Sequence, residues 1–198
     1  MFWEEISIFL TSSSAEWTAL VLNLLFVVLL IFERIEAWFF GVMASLLSVF
    51  IFIEAKLNSE ALLYSVYVIL GIYAWLTWKT NSKKQPMPIK KITPKLLLTT
   101  FGIGLSVWLF LGWFTSHYTN SELPWADAFS TSFAFVATYL EARKILESWL
   151  WWVVLNIFSV WLYTQRDLTI MAWMMAGFAV FSIVGFIAWQ RKLTTQTG

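Results

Sequence analysis

The chain has 198 residues, 60% hydrophobic and 13% charged, with 19% aromatic residues and a formal net charge of +1. That composition excludes the mixed polar surface of an ordinary soluble domain, and a near-neutral total gives no general attraction to nucleic acid. Without cysteine there are no disulfides, thiolate metal sites or cysteine nucleophiles.

Uncharged apolar runs alternate with short polar punctuation, and reading between the charges gives seven expected membrane spans. They lie near Thr18 to Phe32, Ala37 to Ile53, Ala61 to Trp78, Leu96 to Trp113, Ala128 to Leu140, Ser148 to Tyr163 and Thr169 to Trp189. Several are shorter than the roughly 20 residues that cross a bilayer as a helix, so their ends are expected to run into the polar flanks. Helices are predicted because unpaired strand edges are costly in hydrocarbon and the runs lack the alternation of barrel strands. No Lys or Arg precedes the first apolar stretch and no small-residue cleavage site follows it, so it is expected to be a retained helix.

Of the Lys and Arg residues, Arg34, Lys79, Lys83, Lys84, Lys90, Lys91, Lys95, Arg143, Lys144, Arg191 and Lys192 fall on one side of such a topology, against Lys56 and Arg166 on the other. The positive-inside rule then sets the N-terminus outside and the C-terminus in the cytoplasm. KTNSKKQPMPIKKITPK is a topology signal and solvated linker, preferred over an anionic-lipid or partner site, and its Pro86, Pro88 and Pro94 argue against a helix.

Shifting the chain by 111 residues aligns Glu36 with Glu147, Trp38 with Trp149, Val42 with Val153, Ser48 with Ser159, Val49 with Val160 and Leu57 with Leu168. The same register continues to Ala61 with Ala172, Ile72 with Ile183 and Trp78 with Trp189. Apolar segments share a small alphabet, so the common register carries the inference. It superposes the second span on the sixth and the third on the seventh, leaving the fourth as an insertion. The expected plan is one integral membrane domain over 1-198: a three-helix unit (1-78), a basic loop with a linker helix (79-113) and a second three-helix unit (114-198). One extra helix makes the two units parallel, an arrangement that places a transport substrate near the midplane at their interface.

The sixth span, ESWLWWVVLNIFSVWLY, sets Trp149, Trp152, Asn156, Ser159 and Tyr163 at spacings of three and four, on one helical face. An amide in hydrocarbon needs partners, so Asn156 is expected to point inward. Interhelical glue and an interfacial aromatic belt are the alternative readings. For Trp149 belt and binding roles stand level, whereas for Trp152 and Asn156 a substrate pocket is preferred. In the third span Tyr64, Tyr67, Gly71, Trp75 and Trp78 line one face, with Gly71 permitting close approach. Two aromatic faces suit a flat ring, and tryptophan favours a cationic one. Tyr64 and Tyr67 read equally as core, and Trp78 reads as belt.

None of the seven runs contains Asp, Glu, Lys, Arg or His, which disfavours coupling to a proton or ion. No phosphate-binding Gly-rich loop is present, so the chain is not expected to hydrolyse ATP, and the spans assemble no nucleophile, acid and base for an intramembrane enzyme. No cofactor or metal is called for: His117 is alone as a histidine in a short outer loop with Glu122 and Asp127, and zinc normally takes three or four protein ligands. Asp127 is expected to cap the fifth helix after Pro124. Glu141, Arg143, Lys144 and Glu147 read as a solvated, paired turn.

The stretch from Leu123 to Tyr163, with PWADAF and EARKILESWLWWVVLNIFSV, resembles the C-terminal half of the PnuC family of bacterial vitamin transporters, and ERIEAWFFG and IYAWLTW resemble its N-terminal elements. The resemblance implies a SWEET-like arrangement of seven helices in the bacterial inner membrane, nicotinamide riboside as the usual substrate, and facilitated diffusion with trapping by a cytoplasmic kinase that need not touch the carrier. It also implies a homo-oligomer such as a trimer. Asp127, Trp149, Trp152, Asn156 and Ser159 match the family pattern. The third span departs from it, with Tyr64 where riboside carriers resemble a pattern with Gln and Gly71 where they have Asn. Relatives called PnuT are implied to carry thiamine, so the substrate stays open among nicotinamide riboside, thiamine and riboflavin. A membrane sensor or scaffold that binds such a ligand without moving it is the alternative from another class.

Overall fold

The computed structural model describes residues 13–54, 58–82, 87–119 and 121–197. Lys56, Leu57, Lys83, Lys84 and Pro86, used above for topology and repeat, lie outside them. Among the described residues seven α-helices follow one another: α1 (Ser13–Ile31), α2 (Glu36–Glu54), α3 (Asn58–Ser82), α4 (Pro94–Tyr118), α5 (Pro124–Ala142), α6 (Ser148–Thr164) and α7 (Thr169–Thr197). The chain is an all-α membrane protein. Within the apolar helices hydroxyls are satisfied locally: Ser45 donates to the Gly41 carbonyl at 2.9 Å, Ser106 to Gly102 at 2.9 Å and Thr138 to Ala134 at 2.9 Å. Each such bond keeps a polar group out of contact with hydrocarbon.

Two compact units divide after Pro86. In the first, α2 packs against α1 and α3; in the second, consecutive helices pack from α4 through α7. The linker helix α4 therefore belongs to the second unit. The basic stretch is not wholly a linker: α3 runs through Lys79 to Ser82, and Pro94 is an early residue of α4, whose N-cap Thr93 accepts from the Leu96 amide at 3.3 Å. Proline there gives up an amide that no helix turn would use. His117 lies in the last turn of α4, not in a loop.

The fifth span, shortest in the sequence, is a full helix. Its Ala128, Ser132, Phe133, Ala134, Val136, Ala137, Leu140 and Glu141 are buried, because α4 and α6 shelter it on two sides. A helix covered by its own unit needs less apolar surface than one facing lipid. The helices long and apolar enough to cross a membrane lie at Glu36–Glu54, Glu60–Lys79, Pro94–Tyr118 and Thr169–Thr195, with shorter apolar helices at Trp17–Ile31 and Ser148–Thr164.

The 111-residue register reappears in the internal geometry of each unit. Helix α1 ends with Glu33 at φ 55° and α5 with Lys144 at φ 52°. Around them, the Arg34 amide bonds the Leu29 carbonyl at 2.9 Å and the Ile145 amide the Leu140 carbonyl at 3.0 Å; Glu33 bonds Leu30 and Lys144 bonds Glu141, both at 2.9 Å. These six-to-one and five-to-two bonds are the left-handed helix stop that satisfies terminal carbonyls, here without glycine. The following helix then carries a buried tryptophan met edge-on by the next: Trp38 with Trp78 at 5.6 Å and 82°, Trp149 with Trp189 at 5.4 Å and 88°. Trp78, expected as an interfacial belt residue, is buried at 4% exposure because it is half of this pair.

Candidate functional site

The α6 face predicted from spacing is directed into the second unit. Trp149 and Asn156 are buried, and Trp152 and Ser159 are half-buried. Asn156 Nδ2 donates to Ser182 Oγ on α7 at 3.2 Å, and that hydroxyl donates onward to the Phe178 carbonyl at 2.8 Å. Trp149 is a packing pillar in this conformation. Its indole lies on Gly185, where an added Cβ would fall 2.5 Å from the ring, and its N–H is buried without a partner among the described residues.

The turn between α5 and α6 contradicts the solvated reading. Glu141 is 1% exposed and Lys144 5%, and Ser148 is fully buried. The cause is a strap from before α4: Lys90 pairs in parallel with Ile145, its amide bonding the Lys144 carbonyl at 2.9 Å and its carbonyl accepting from Leu146 at 2.8 Å. Glu147 accepts from the Ile92 amide at 2.7 Å, Ile89 is buried, and Ile92 packs on Val136, Leu140 and Ile145. Sequence gave no signal for this, since the partners are 55 residues apart. Beneath the strap the Trp152 indole hydrogen-bonds the Glu141 carboxyl group, while Glu141 Oε2 is buried with no partner among the described residues.

At the opposite end of α5, Asp127 does not cap the helix. The N-cap position is Leu123, without a side-chain bond, and Asp127 instead accepts from Ser121 at 2.6 Å and from Arg166 at 2.9 and 2.7 Å. Donating to the Asp127 carboxylate holds the Arg166 guanidinium above its ordinary pKa. This pair ties α5 to the α6–α7 turn. Replacing Arg166 with Leu is expected to lower stability by about 1 kcal/mol, with most of the difference erased in 1 M salt, as thermal denaturation in detergent will show.

In the first unit Tyr64 and Tyr67 are half-buried, their rings 5.8 Å apart, with Phe52 5.2 Å from Tyr64. Gly71 permits the close approach predicted for it: a Cβ there would meet Val42 Cγ2 of α2 at 2.7 Å. Trp75 departs from the buried face, at 36% exposure and edge-on to Phe39. Among the described residues no group of three or more His, Asp or Glu is placed to hold a metal ion.

The seven helices of the described residues, one of them with an inward amide and tryptophan face, define a polytopic helical membrane protein. A family model described as nicotinamide mononucleotide transporter matches residues 13–191, and the chain belongs to that family. It is similar to the nicotinamide riboside transporter PnuC of Escherichia coli (strain K12), 23% identical over 167 residues, 71% of this chain and 70% of that one. The PnuC of Neisseria mucosa is 23% identical over 196 residues, 91% of this chain and 73% of its own. The crystal structure of the vitamin B3 transporter PnuC shares the fold, with TM-score 0.73 and 22% identity over 97% of this chain and 87% of that chain.

Proposed function

We propose that the chain moves a small cationic aromatic vitamin, nicotinamide riboside or thiamine, into the cell by facilitated diffusion, with phosphorylation by a cytoplasmic kinase retaining the product. The carrying observation is the α6 face, where a half-buried Trp152 stands one turn from a buried amide, Asn156, in a family of transporters. The indole supplies an aromatic wall for a positive ring. Asn156 orients a carboxamide or amino group by hydrogen bonding, and Ser159, one turn on, adds a hydroxyl. Trp149 supports Trp152 from the preceding turn. Tyr64, Tyr67 and Trp75 are assigned to substrate contact from the sequence, and alanine variants of each belong in the same assay. In this reading the N-terminus is outside, the C-terminus cytoplasmic, and the carrier a homo-oligomer such as a trimer.

Passive transport is supported by the absence of ionisable residues from the seven apolar runs. Uptake and counter-flow of labelled nicotinamide riboside and thiamine in proteoliposomes without an ion gradient test the proposal. Accumulation only with a proton gradient would overturn the passive step, and binding without counter-flow would make the protein a sensor.

A further inference from the structure

Among the described residues Glu141 is the one buried carboxylate, the transport reading leaves it unused, and its position in the repeat shows that packing does not require it. The 111-residue register sets Glu141 against Leu30 and Trp152 against Gly41. Leu30 is equally buried, at 1% exposure, so an aliphatic side chain completes the same helix stop in the first unit. There the space over position 41 is taken by Phe26, whose ring a Cβ on Gly41 would meet at 2.9 Å; the residue matching Phe26 in the second unit is Ala137. Ring volume has moved from Phe26 to Trp152, and a carboxyl group has come with it. Acid and indole occur together in the second unit, and the two matching positions of the first carry neither.

A buried carboxyl group with one idle oxygen carries its charge only when a positive charge beside it compensates the lost water, and is otherwise neutral. The indole bond accounts for part of its hydrogen-bonding capacity, and Oε2 remains without a partner. An acceptor on the indole N–H also polarises the ring and strengthens its face toward cations. Resting on the transport reading above, we propose that Glu141 is the charge-selecting and positioning residue of the carrier: it fixes the Trp152 indole and supplies the counter-charge for a cationic heteroaromatic substrate. A neutral ring of the same shape gains the stacking but not the charge term.

The test titrates the purified full chain in detergent, at constant pH, with nicotinamide riboside and its uncharged 1,4-dihydro form, and with thiamine and its uncharged tetrahydro form. Wild-type protein is expected to favour the cation at least tenfold. Glu141→Gln keeps the volume and an acceptor for the indole but removes the charge, so the cation's advantage should fall about tenfold, while affinity for the neutral form stays within twofold. An unchanged ratio in Glu141→Gln overturns the inference and leaves the transport reading intact. Should that variant fail to fold, Glu141→Leu, which copies Leu30, replaces it, and equal affinity of the wild type for charged and uncharged forms is itself decisive against the inference. Failure of the wild type to bind either vitamin removes the transport reading and this inference together.

Discussion

Gly185→Leu is expected to destabilise the second unit by about 3 kcal/mol and to abolish substrate binding with it. The Cβ of any residue at 185 lands 2.5 Å from Cε3 and Cζ3 of Trp149. That indole is 1% exposed and wedged edge-on against Trp189, so it has no open direction in which to move. Overpacking of a filled core costs about 1–3 kcal/mol, and a leucine at such a contact belongs at the upper end. Trp149 lies three residues before Trp152 on the same α6 face, so displacing it disturbs the proposed substrate wall directly. Gly112→Ala is the control. An added Cβ there comes still closer, 2.3 Å from Trp125, but that ring is 45% exposed and free to swing outward. Helix propensity favours alanine over glycine by about 1 kcal/mol, so Gly112→Ala should be near neutral. Thermal denaturation in detergent should separate the two by several degrees; equal melting temperatures would show that Trp149 is not held as tightly as its packing indicates.

Asn156→Leu is expected to lower vitamin affinity by tenfold to a hundredfold while leaving the protein folded and inserted. The amide donates to Ser182, whose hydroxyl keeps its own bond to the Phe178 carbonyl when the amide is gone. Interhelical hydrogen bonds in membranes contribute about 0.6 kcal/mol on average and leucine fills a similar volume, so the stability change should be small. Losing an orienting hydrogen bond to a charged ligand costs about 1.5–3 kcal/mol, and each 1.4 kcal/mol is tenfold in affinity. Loss of stability with unchanged affinity would assign Asn156 to holding α6 against α7, the alternative that its spacing alone leaves open. Affinity by intrinsic fluorescence and melting temperature on the same preparation resolve the two roles.

The inward face of α6 was readable because Trp149, Trp152, Asn156 and Ser159 recur at helical spacing, and hydrocarbon leaves an amide one sensible direction. Trp78 and Trp75 were not distinguishable in the same way. Spacing sets both on one face, with Trp75 read as a substrate contact and Trp78 as a belt residue, and only the edge-on contact with Trp38 buries Trp78 while Trp75 stays open. Asp127 was legible as a polar group near a helix start but not as the partner of Arg166, which lies 39 residues away. Glu141 was misread because Arg143, Lys144 and Glu147 beside it resemble a solvated cluster. Its burial depends on a strap whose extended backbone carries no periodic signal.

Composition by itself determined that the chain is an all-helical membrane protein, because a bilayer forces backbone bonds inside each segment and demands apolar runs of set length. Which charged groups are sheltered, and what they pair with, was decided only by tertiary structure. The burial of Glu141 beneath Lys90–Ile145, the pairing of Asp127 with Arg166 and the seating of Trp149 on Gly185 all depend on contacts between residues remote in sequence, and local pattern carries no record of those contacts.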